Sequence, residues 1–81
     1  MIMRLDKYLK VSRLIKRRTV ANEACDAGRV LINDKPAKAS ANVKVGDTIT
    51  IAFGNKEVKV EVLSVQDVVK KEEAKEMFQY L

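Results

Sequence analysis

The chain has 81 residues, 47% of them hydrophobic and 33% charged, with a net charge of +5, one cysteine and no histidine. This composition predicts one small folded domain, 1–81, and excludes an internal disulfide as well as the commonest general base and metal ligand. No apolar run approaches the roughly 20 residues of a membrane span, and Arg4, Asp6 and Lys7 interrupt any signal-peptide core, so a cytoplasmic protein without membrane contact is expected.

In chain order, Leu5, Tyr8 and Leu9 recur at helical spacing, and Ser12 and Ile15 extend the same face. Lys7, Lys10 and Arg17 point the other way, with Arg13 on the flank. Leu14 falls on that cationic side, so the first helix should bend or end near it. Charge is concentrated here. Residues 1–18 carry seven basic groups (Arg4, Lys7, Lys10, Arg13, Lys16, Arg17, Arg18) against Asp6, or 7 − 1 = +6. The other 63 residues carry nine basic and ten acidic groups, or −1, so the whole excess lies in the first helical stretch. Thr19 is expected to cap a second helix, Val20 to Ala27, whose inner face of Ala21, Ala24, Cys25 and Ala27 would allow close packing on the first. Gly28 then supplies the stop. Lys16, Arg17 and Arg18 fall at the entrance of this helix, where free backbone N–H groups favour phosphate.

Beyond Gly28 the hydrophobic period changes to 2. Arg29 to Asn33 predicts a strand, Asn33-Asp34 a turn, and Pro36 confines the next segment to an edge or an irregular strand. Gly46-Asp47 leads into a strand from Thr48 to Phe53. Gly54-Asn55 is a hairpin turn, and Glu57 to Val65 alternates Val58, Val60 and Val62 inward against Lys59 and Glu61. The tail returns to helical spacing, with Ala74, Met77, Phe78 and Leu81 on one face. It is too short to be stable unless it docks. The fold class is therefore α+β: two N-terminal helices (about 4–28) packed on a small, mostly antiparallel sheet (about 29–66), with a C-terminal helix (about 70–81).

One cysteine cannot build a zinc site, and the glycines match no phosphate loop. No catalytic residue, metal or cofactor is expected, and no enzyme activity. Cys25 reads as a buried thiol. Tyr8, Phe53 and Phe78 read as core, with Tyr80 near the end excepted. Asp6 either caps the first helix and pairs with a neighbouring cation, or orients an arginine for function. Arginine contributes four of the seven cations, and its planar fork grips phosphate in a bidentate way. A one-sided cationic face with little compensating acid therefore points to nucleic acid.

The stretch RLDKYLKVSRLIKRRTVANEACDAGRVLIND, followed by VKVGD, resembles the small RNA-binding domain named for ribosomal protein S4. The resemblance covers Arg4 to about Phe53. Stand-alone members that open with R-L-D-K include bacterial ribosome quality-control factors and the small heat-shock ribosome-binding proteins. The short acidic-basic tail is closer to the quality-control type. That resemblance implies binding to the large ribosomal subunit obstructed by peptidyl-tRNA, with contacts to large-subunit ribosomal RNA and to the tRNA. It also implies work with the protein RqcH in adding C-terminal alanine tails to stalled chains. RNA contact is implied for Arg4 and Arg18, with Lys7, Arg13, Lys16 and Arg17 beside them and Asp6 in the R-L-D motif. A monomer is expected. The alternative within the family is heat-shock-type recycling of large subunits that carry nascent chains. A helix-turn-helix DNA reader fits less well, because the second helix offers mainly Ala, Val and Cys to a groove. An accessory domain of an RNA-modifying enzyme would need a catalytic domain. A protein-interaction role through Met77, Phe78 and Leu81 is the remaining alternative.

Overall fold

The computed structural model describes residues 2–67 and 69–81. Two short helices, α1 (Leu5–Val11) and α2 (Arg18–Asp26), follow a two-residue strand β1 (Met3–Arg4). Then come β2 (Val30–Ile32), β3 (Lys35–Pro36), β4 (Asn42–Val43), β5 (Thr48–Phe53) and β6 (Lys56–Val62). A 3₁₀ helix (Lys71–Glu76) and a last strand, β7 (Phe78–Tyr80), complete the described chain. Strands β3-β2-β5-β6-β7 form one antiparallel sheet in that order, while β1 pairs with β4 beside it. The class is α+β, as the alternation of periods implied.

The first helix ends early, and its ending places Leu14. Val11 is its last residue, Ser12 is the C-cap, and Arg13 turns the chain with a left-handed φ of 63°. Ser12 and Ile15 are buried as expected. Leu14 is half-buried and packs against the core, because after the turn it no longer follows the wheel that put it among the cations. The second helix starts at Arg18, with Arg17 rather than Thr19 as its N-cap and no side-chain cap bond. Ala21 and Cys25 are buried, whereas Ala27 caps the C-terminus and is exposed. Gly28, at φ 77°, lets the Arg29 amide donate back to the Ala24 carbonyl at 3.0 Å.

Asn33 and Asp34 take left-handed φ values of 52° and 66° in the turn between β2 and β3. A side-chain lock ties this turn to the next one. Asn33 Nδ2 donates to Asp47 Oδ1 at 3.1 Å, the Thr48 amide donates to Asn33 Oδ1 at 3.0 Å, and the Lys44 amide donates to Asp47 Oδ2 at 3.0 Å. The Asn and Asp of the two sequence motifs thus hold strand ends together.

The core gathers Leu5, Tyr8 and Leu9 of α1, Ala21 and Cys25 of α2, and the inward positions Val30, Ile49, Ile51, Val60 and Val62. Val60 and Val62 alternate with half-buried Lys59 and Glu61, as the period of 2 required. Phe53 continues the inward face but lies beyond the cover of the helices, so it is exposed.

The tail differs most from the expectation. The helix foreseen over 70–81 is a 3₁₀ helix confined to Lys71–Glu76, and Phe78–Tyr80 is a strand on the open edge of β6, with Val62 opposite Phe78 and Val60 opposite Tyr80. Ala74, Met77 and Phe78 are buried in either reading, whereas Leu81 is exposed. Two interactions favour the strand: the edge of β6 needs partners for its backbone groups, and the buried Tyr8 hydroxyl donates to the Met77 carbonyl at 2.7 Å. That bond joins α1 to the end of the 3₁₀ helix. Burial also pushes the Tyr8 phenol well above its ordinary pKa.

Candidate nucleic-acid interface

The site is built from the start of α1. Arg4 is its N-cap residue and has an extended backbone, and the Leu5 and Asp6 amides donate to the Ala41 and Ala39 carbonyls at 2.7 and 3.1 Å. Two of the amides that open the helix are thereby satisfied by the 39–41 loop. Asp6 supplies the third partner, because its Oδ1 accepts from the Lys7 amide at 2.8 Å.

The Asp6 side chain is only 3% exposed, yet it is surrounded by donors. Arg4 reaches it with Nε at 3.2 Å and Nη2 at 3.3 Å, Arg18 with Nε at 3.4 Å, and Asn22 with Nδ2 at 3.5 Å. Burial by itself would raise the Asp6 pKa. The Arg4 and Arg18 guanidiniums and the Lys7 amide outweigh that and hold the carboxyl below its ordinary range. Asp6 is thus a buried, ionised hub at the positive end of α1. It accepts one amide of the first turn and pairs with both arginines, which is the structural role expected of it.

The arginines it holds remain available. Their side chains are 50% and 49% exposed, and among the described residues neither Nη of Arg18 has a partner within the protein. A guanidinium fixed at Nε with its other nitrogens facing solvent suits a phosphate oxygen. Arg18, Thr19, Asn22 and Glu23 border the shallow hollow above Asp6.

The remaining candidates do not join this cluster. Arg17 is exposed at the N-cap of α2. Lys7 points to the opposite flank, where Nζ meets Asp67 at 3.1 Å, and Arg13 and Lys16 line a separate hollow with Lys10. Six of the seven candidates therefore fall into two groups, Arg4, Asp6 and Arg18 on one flank of α1 and Lys7, Arg13 and Lys16 on the other, with Arg17 in neither. Asn22 and Asp67 were missed from sequence. Asn22 carried a signal, since it follows Arg18 by one helical turn on the same face. Asp67 carried none, being 60 residues from Lys7.

Cys25 lies behind this surface, in contact with the core. Burial, then the charges of Asp6 and Asp26, pushes its thiol up to about 11. Among the described residues no group of three or more His, Cys, Asp or Glu side chains could hold a metal ion, and no helix is long and apolar enough to cross a membrane.

Known proteins are similar to this chain. The S4 domain profile matches residues 3–49. A Bacillus subtilis (strain 168) protein named RQC P-site tRNA stabilizing factor is 58% identical over 79 residues, covering 98% of this chain and 92% of that one. A Halalkalibacterium halodurans protein of the same name is 54% identical over 77 residues, covering 95% and 88%. The trimeric structure of Vibrio cholerae heat shock protein 15 superimposes with a TM-score of 0.91 at 29% identity, covering all of this chain and 83% of its counterpart. The helices, the Asn33–Asp47 lock and the Asp6 hub all fall within the matched segment, and the chain belongs to the S4-domain family.

Proposed function

We propose that this chain is a non-catalytic, RNA-binding quality-control factor of the bacterial ribosome. It binds large subunits obstructed by peptidyl-tRNA, contacts ribosomal RNA and the tRNA, and supports RqcH-dependent alanine tailing of the stalled chain. It acts in the cytoplasm as a monomer. The observation that carries the RNA-binding part is the Asp6 hub, a buried carboxylate that presents two half-exposed arginines on one side of a rigid helix pair. Arg4 and Arg18 are the principal phosphate contacts. Lys7, Arg13, Lys16 and Arg17 add sequence-independent attraction, and Asp6 acts through the arginines. The ribosomal part is supported by the name of the Bacillus subtilis relative, which assigns P-site tRNA stabilisation to that protein.

A second reading, recycling of large subunits that carry nascent chains, is favoured by the close superposition on heat shock protein 15. One experiment separates them. Arg4→Ala and Arg18→Ala should each weaken co-sedimentation with large subunits by roughly tenfold or more, the loss of one charge-assisted contact, while each variant still unfolds cooperatively with a modestly lowered melting point, because the buried Asp6 carboxylate loses a donor. Deleting the gene should abolish alanine tails on a reporter lacking a stop codon, read by mass spectrometry in a protease-deficient strain. Tails of normal length after deletion would refute the tailing role and leave recycling. Retained binding by both alanine variants would refute the assigned grip.

A further inference from the structure

The second group of cations lies around the C-terminal end of α1. Lys10, Arg13 and Lys16 surround an open hollow of about 240 Å³ whose other lining residues are Val11, Val69 and Asp67. It shares no residue with the hollow above Asp6. Val11 follows Asp6 by five helical positions, about 140° around α1, so the two sites open on different flanks. Among the described residues, none of the three cations has an ion-pair partner. Arg13 also adopts its left-handed backbone where glycine would be less strained, yet the position carries a guanidinium.

Asp67 is unexpected in a site that selects only for negative charge. Its Oδ1 accepts from Lys7 Nζ at 3.1 Å, which balances its charge and leaves Oδ2 free to accept another bond. An ionised carboxylate can only accept, so a fitting ligand must bring a donor next to its anion. The sugar-phosphate backbone of RNA has one such donor, the 2′-hydroxyl, and that of DNA has none. We propose that this hollow is a ribonucleotide subsite in which Lys10, Arg13 and Lys16 hold a backbone phosphate while Asp67 accepts a hydrogen bond from the neighbouring 2′-hydroxyl. Val11 and Val69 form the apolar wall against the ribose. Asp67 is then the residue by which the surface distinguishes RNA from DNA, an assignment that rests on the RNA-binding reading above.

The test is fluorescence anisotropy with three hairpins of one uracil-containing sequence: RNA, 2′-O-methyl RNA and DNA. The methylated hairpin keeps the A-form shape but replaces the donor with a methyl ether, so the loss of discrimination on changing Asp67, and not discrimination alone, assigns it to the hydrogen bond. The unmodified protein should favour RNA over both others by about three- to tenfold, the range for one hydrogen bond. Asp67→Ala should abolish the preference of RNA over 2′-O-methyl RNA, while the lost negative charge shifts all three affinities in the same direction. Asp67 is exposed, and overlapping melting curves would show that the variant is folded. Arg18→Ala should weaken all three ligands and keep the preference. Equal tightening of all three hairpins by Asp67→Ala would make Asp67 a simple like-charge repeller and overturn the proposal. A preference for RNA over 2′-O-methyl RNA that survives Asp67→Ala would overturn it too, as would no such preference in the unmodified protein. Failure of the unmodified protein to bind any hairpin would instead refute the RNA-binding reading itself.

Discussion

Replacing Asp6 with Asn sets two effects of opposite sign against each other. The substitution keeps the shape and removes one negative charge from beneath the grip. If a bound phosphate lies roughly 6 Å away, losing that repulsion strengthens binding by about 0.7 kcal/mol in a water-like dielectric. The same change frees Arg4 and Arg18, now held at 3.2–3.4 Å from the carboxylate. Immobilising each again on RNA costs about 0.5–1.5 kcal/mol, or about 1–3 kcal/mol for the pair. Preorganisation therefore wins, and affinity should fall by about 0.3–2.3 kcal/mol, roughly 2- to 50-fold. Stability should fall by only about 1–2 kcal/mol, because the half-exposed arginines regain water when released. The acid limb supplies an independent check. Asp6 has a folded pKa below its unfolded value, so its contribution is complete above about pH 4 and fades as pH falls through the lower folded value. Asp6→Asn should flatten that limb. The assay is anisotropy with large-subunit RNA at fixed salt, paired with thermal melts between pH 2 and pH 7. Tighter RNA binding by the variant would refute the reasoning, because it would mean that Asp6 only repels.

Val60 is fully buried between Ile49 and Tyr80, so Val60→Asp should unfold the protein, while Lys59→Asp should cost only about 1 kcal/mol, exchanging an exposed attraction to Asp34 for an exposed repulsion. Equal destabilisation of both in thermal denaturation would contradict the register of β6. Cys25, with its thiol near 11, should resist iodoacetamide at pH 8 in the folded protein and react readily in denaturant, where the thiol returns to its ordinary value. Equal rates in the two states, followed by mass spectrometry, would show that the thiol is not shielded.

The opening of the chain was legible because its information is local. Leu5, Tyr8 and Leu9 carry their burial in their spacing, and seven cations within 18 residues stay together in any fold that keeps the helices. Gly28 and the Asn33-Asp34 turn announce themselves through the backbone conformations they tolerate. The period-2 run through Val60 and Val62 fixed which side chains of β6 face inward, and the resemblance to the S4 domain was carried by motifs that lie in this same stretch.

The rest depended on partners far away in sequence. Phe78, Gln79 and Tyr80 satisfy a helical wheel about as well as a strand, and only the open edge of β6 decides for the strand. Phe53 has the alternation of a core residue, but the helices do not extend over it, and no local pattern records the length of a cover. Arg18 rather than Val20 opens α2, and this earlier start brings Arg18 and Asn22 to Asp6. Most of all, sequence placed the cations in one stretch without dividing them. Asp6 gathers Arg4 and Arg18 on one flank of α1, and Asp67 meets Lys7 on the other. Local periodicity assigns faces and turns; which charge meets which depends on how distant segments return to the same surface, and only the packed chain decides that.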